Sequence, residues 1–181
     1  MLDGDRERHY SYIEKLVQIK EVKGDVVVQR PSSVDASKSM RKGVKLLELK
    51  EYRQAKQIFQ SILAAGPEFP RVAEVQYYIA LCSIAGKRPK ILRLPEVEEV
   101  ERLLSSVIRA NQCNRALLLL ALVKEDYYRL NGVPMLPPTP EELIYKVRFA
   151  ELSLKHCSEI VHHIYAPGNH VWEWLVSQCV Q

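Results

Sequence analysis

The chain has 181 residues, 47% hydrophobic and 27% charged, and a formal net charge of +4. A chain of this length buries roughly 70% of the surface its unfolded form exposes, so one self-supporting core is expected without disulfide or metal staples. Neither a long apolar run nor a basic-then-apolar leader stands at the N-terminus, which argues against a membrane partner and for an unexported, cytoplasmic protein. Cys82, Cys113, Cys157 and Cys179 lie far apart with no Cys-x-x-Cys pair, a pattern of reduced, buried thiols rather than a zinc site.

Glycine is scarce, at 7 residues, and most apolar residues recur every three or four positions, so an all-α chain is expected. Residues 1–34 read as an N-terminal helix and an extended linker. Tyr10, Ile13, either Leu16 or Val17, and Val22 give the helix its apolar stripe, and Asp3, Asp5 and Glu7 suit its positive N-terminal end. Lys23-Gly24-Asp25 breaks it. Val26-Val27-Val28 is then either linker or a strand that pairs with another chain, since a lone strand leaves backbone groups unpaired. Residues 35–166 read as one helical domain, opening with helices over Asp35 to Leu49 and Tyr52 to Ala65. Gly43 and Ala55 allow close approach, Leu46, Tyr52 and Phe59 fill the space around them, and Gly66-Pro67 ends the pair.

Gly43, Leu46, Tyr52, Ala55, Phe59 and Pro67 stand at the spacings of a tetratricopeptide repeat, and the chain resembles that family, strongly over residues 36–69 and weakly to about 130. In an altered second unit, Val75, Tyr78, Ile79, Ala80 and Leu81 supply one helix and Val100, Leu103, Leu104, Val107 and Ile108 the other. An insertion at 86–95 separates them. A third helix is expected from Asn114 to Leu130, before Asn131-Gly132 and a proline-rich connector at 133–140. Thr139-Pro140-Glu141-Glu142 is a strong helix start. From there Leu143, Val147, Ala150, Leu154, Cys157, Val161 and Ile164 alternate spacings of four and three, predicting one long capping helix over 143–164. Its stripe is widened by Ile144, Phe149, Leu152 and Ile160, which favours docking in the same chain over a homo-oligomeric coiled coil. Residues 167–181 are expected as a short tail carrying Trp172, Trp174 and Leu175.

The resemblance implies a right-handed superhelix of helix pairs, with the first helix of each pair lining a partner-binding groove. The matching positions are Met40, Val44, Leu47, Tyr77, Leu81 and Ile84, apolar rather than the asparagine and basic residues of the family's carboxylate clamp. Such a groove suits an apolar or amphipathic segment, either from a partner or from this chain's own N-terminal helix or Trp172-containing tail. The insertion carries a basic loop, Lys87, Arg88, Lys90 and Arg93, suited to phosphates or an acidic strip, although Glu96, Glu98, Glu99 and Glu101 follow at once. His156, Glu159 and His163 share one helix side, but nearly two turns, about 10 Å, separate the histidines. No metal, cofactor or catalytic residue is therefore assigned, and no phosphate-cradling glycine loop or nucleophile elbow is present. The expected function is a non-enzymatic protein–protein adaptor or scaffold. A self-associating structural or regulatory subunit is the alternative, and a nucleic-acid-binding accessory protein the third reading.

Overall fold

The computed structural model describes residues 33–65, 70–111, 113–148 and 151–180, and these hold eight α-helices and no strand. The expectations for the N-terminal helix, for Val26–Val28 and for Gly66-Pro67 lie outside the described residues. None of the helices among them is long and apolar enough to cross a membrane.

Helices α1 (Ser33–Glu48) and α2 (Tyr52–Ala64) form the first hairpin. Where a Cβ added to Gly43 would stand, the Phe59 ring lies 2.6 Å away, so the glycine is required by the close approach of the two helices. The hairpin turn ends α1 with Lys50 at φ 61°, its N–H donating to the Leu47 carbonyl (2.9 Å), while the Glu51 N–H donates to that of Leu46 (2.9 Å). That left-handed step satisfies the carbonyls left open at a helix end.

The second pair is α3 (Val72–Ile84) and α4 (Leu94–Asn111), with a 3₁₀ turn at Pro89–Ile91 inside the expected insertion. Helix α5 (Asn114–Lys124) runs on into a π-helical turn at Glu125–Arg129. Short helices follow: α6 (Pro140–Tyr145), α7 (Leu154–His163) and α8 (His170–Cys179). Each helix from α1 to α5 packs on its successor, and the α7–α8 hairpin folds back onto α5. Helices α1, α2 and α4 are amphipathic, whereas α3 and α5 are buried nearly all round, with Tyr77, Leu81, Ile84, Leu117, Leu119 and Leu122 inaccessible. A helix apolar on every face needs neighbours on every face.

The long helix expected over 143–164 is broken. Its two parts, α6 and α7, are separated by a non-helical stretch around Val147, Arg148, Leu152 and Ser153. The cause is a side-chain clamp from α5: the Asn114 amide donates to the Arg148 carbonyl (2.8 Å) and accepts from the Arg148 N–H (3.0 Å). The Arg148 N–H is thereby withdrawn from the helical ladder, while its carbonyl is shared with the Glu151 N–H of a tighter turn (3.0 Å). Ser153 then caps α7 by accepting from the Lys155 N–H (3.1 Å). Leu143, Val147, Cys157 and Ile164 still reach the core, but Leu154 is left exposed. The expected C-terminal tail is also structured: Val171 and Leu175 of α8 are buried, and the Trp172 indole donates to the Ile164 carbonyl (2.7 Å).

Candidate functional site

Five of the six expected groove residues are buried, at 2% exposure or less for Met40, Leu47, Tyr77, Leu81 and Ile84; Val44 is partly buried. They sit in one continuous core. Helix α7 reaches Tyr77: the phenol donates to Glu159 (3.1 Å), and the Arg115 guanidinium lies over the same ring at 4.2 Å while standing 3.6 Å from Glu159. Burial above all, with the Glu159 carboxylate adding to it, raises the Tyr77 pKa well above the ordinary phenol range, so it stays a donor. The segment lying over Tyr77 is thus α7. The Trp172-containing helix packs on α7 and α5, and the chain's first 32 residues lie outside the described ones.

The basic loop divides into separate roles. Arg88 grips the fully buried carboxylate of Asp126 from the π turn, with Nε and Nη2 at 3.1 and 3.0 Å from Oδ1. The backbone N–H of Lys90 donates to the other oxygen (2.8 Å), and Asn169, also fully buried, approaches Oδ1 at 3.4 Å. Asp126 therefore staples the insertion and the start of α8 to the π turn. Arg93 pairs with Glu96 on the exposed surface (3.2 Å). Lys87 and Arg88, of the four basic side chains, line a cleft.

That cleft, of about 470 Å³, is lined by Lys50 and Tyr52 from the first hairpin, Gly86, Lys87 and Arg88 from the insertion, and Val161 to Tyr165 with Pro167. Three chain segments meet there through His163. Its carbonyl accepts from the Gly86 N–H (3.0 Å), and its Nδ1 shares a hydrogen bond with the Tyr52 hydroxyl (3.3 Å). Burial, and then the neighbouring His162 and Lys50, push the His163 pKa down to about 4, so the ring is neutral at pH 7. Gly86 has φ +72° and a Cβ there would stand 2.9 Å from the Tyr52 ring, so only glycine fits this joint. Glu159 turns instead toward Arg115 (3.6 Å), and burial above all lowers the His156 pKa. Among the described residues no three histidine, cysteine or carboxylate side chains gather as a metal site.

A second exposed feature surrounds the proline-rich connector. Tyr145 is 90% and Leu136 81% exposed, the highest values of any large apolar side chains here apart from Val180. Tyr145 stands between two shallow depressions: one of about 730 Å³ against Pro137, Pro138, Glu142 and Lys146, the other of about 680 Å³ against Ile144 and Val147. The shelf is held from beneath. The buried Lys124 ammonium donates to the Leu136 carbonyl (2.7 Å), Thr139 and Glu142 form a reciprocal capping box, and Arg129 joins Glu125 of the π turn to Glu141 of α6. Sequence reading missed this shelf, although Leu136, in a polar and proline-rich connector, and Tyr145, off the apolar stripe, were signals available in the sequence.

Comparison with protein-family models, with curated proteins and with solved structures gives no match for this chain.

Proposed function

We propose that the chain is a non-enzymatic scaffold, a tetratricopeptide-like right-handed array that binds an apolar or amphipathic segment of another protein. The observation that carries this reading is the rigidly mounted apolar shelf at Leu136, the Pro137-Pro138 pair and Tyr145. Exposed aromatic and aliphatic anchors of this kind supply most of the affinity at protein interfaces. A fixed capping box beneath them lowers the ordering cost of binding. The successive helix hairpins and the repeat-like first hairpin support the family-type architecture, and the partner surface is the outer shelf rather than the inner face. The Glu141, Glu142 and Lys146 rim sets orientation.

Self-association through the same shelf is the second reading, favoured by the same unburied Tyr145 and Leu136. Capture of a partner by the wild type, compared with Leu136→Ser/Tyr145→Ser of equal helicity by circular dichroism, tests the proposal. Loss of at least about tenfold in affinity for the purified partner is expected. Equal affinity contradicts the shelf assignment, and a wild-type mass that doubles with concentration, abolished in the variant, transfers the shelf to self-association.

A further inference from the structure

Outside the shelf, the cleft joining the first hairpin, the insertion and α7 has no absorbed role. Its lining contains Lys50, Lys87, Arg88, His162 and His163 and no carboxylate. The Arg88 charge is matched by Asp126, which lies behind it. The Lys50 and Lys87 ammonium groups make no hydrogen bond or ion pair among the described residues; the Glu96 carboxylate that feels the Lys87 charge is bonded to Arg93, and Glu51, beside Lys50 in sequence, accepts from Gln54 (3.2 Å). Two ammonium groups at one opening are therefore not directly paired with a carboxylate among the described residues. Arg88 keeps Nη1 free of protein partners while Asp126 fixes its plane.

Lys50 occupies a left-handed backbone position, φ 61°, that glycine or asparagine takes more easily. The lining also includes apolar Val161, Ile164, Tyr165 and Pro167, and Tyr165 is held edge-on against Trp172 with ring centres 5.4 Å apart. A cleft of about 470 Å³ exceeds what a bare inorganic anion fills.

We infer that this cleft binds a phosphate monoester carried on an apolar or aromatic body, the dianion lying between Lys50, Lys87 and Arg88 and the body against Tyr165 and Ile164. Lysine ammoniums act as point charges for phosphate, and the free Nη1 of a pre-oriented arginine adds a directional donor. The inference is independent of the shelf. The phosphate can come from a phosphorylated residue of a partner polypeptide or from a free phosphorylated small molecule.

The test is calorimetry on the full chain at low ionic strength with inorganic phosphate, phenyl phosphate, N-acetyl-O-phosphotyrosine amide and 5′-AMP as probes. Saturable binding of phenyl phosphate is expected, about tenfold tighter than inorganic phosphate and weakening as salt is raised. Lys50→Gly together with Lys87→Gln should weaken it by at least about tenfold. Glycine suits the positive φ, so this variant keeps its fold, which circular dichroism and a thermal melt check. Tighter binding of the phosphotyrosine amide than of 5′-AMP assigns the phosphate to a polypeptide, and the reverse order assigns it to a small molecule; either result supports the site. No saturation by phenyl phosphate up to about 10 mM, or equal binding by the double variant, overturns it.

Discussion

The first hairpin and the segment from Pro140 to His163 both carry apolar residues at spacings of three and four, yet one folds as its spacing predicts and the other breaks in the middle. In the hairpin, the periodic residues face a partner of matching shape, Phe59 closing against Gly43 and stacking on Tyr78 with ring centres 5.1 Å apart. In the later segment the same periodicity meets a polar group, the Asn114 amide, at the level of Arg148. Periodicity selects the buried face, but it does not guarantee that the backbone between buried residues stays helical. A buried amide able to bond both N–H and C=O of one residue offers the backbone an equally satisfied alternative.

The largest effect should come from attacking the first region. Phe59→Ala empties a fully buried ring site between α1, α2 and α3, and a loss of about 3–5 kcal/mol is expected from denaturant unfolding. The clamp in the second region is smaller. Asn114→Ala removes two hydrogen bonds and should cost about 2 kcal/mol, with the Arg148 amide losing its hydrogen-exchange protection. Unchanged exchange at Arg148 would mean that the break has another cause.

A pH series probes the joint between the two regions, because His163 of α7 meets Tyr52 of α2. Burial first, then the neighbouring His162 and Lys50, hold its pKa at about 4 against an ordinary 6.5. Between these values the unfolded chain takes up a proton that the folded chain refuses. Stability is therefore complete above pH 6.5 and falls as pH drops toward 4. The loss attributable to this ring is about 1 kcal/mol, since solvent screens part of it, and His163→Gln should flatten that portion of the curve. Smallest is Thr139→Ala, which removes one half of the α6 capping box and should cost about 1 kcal/mol or less.

Much of the fold is legible in the sequence. The Gly43, Ala55 and Phe59 spacing gives the first hairpin within a residue or two, and Thr139-Pro140-Glu141-Glu142 marks the start of α6. The candidate sites are less legible. Val75 to Ile84 and Ala116 to Val123 are apolar on all sides, a pattern that already requires cover on every face and leaves no open groove at Tyr77 or Leu81. The basic loop gives its charges in sequence but not their partition, because Asp126 stands 38 positions beyond Arg88. Lys50 joins Lys87 across three segments that only folding brings together, and no local spacing announces such a cleft.

The central claim is that the inner face at Tyr77 is closed by the chain's own α7, with its recognition surfaces outside. Nitration of the native protein by tetranitromethane, mapped by mass spectrometry, tests this most directly. The expected result is rapid modification of Tyr145 and Tyr165, which are 90% and 73% exposed, and none of Tyr77, which is 0% exposed, until the protein is unfolded. Modification of Tyr77 in the folded protein at the rate of Tyr145 would contradict the account and reopen the inner face as the binding groove.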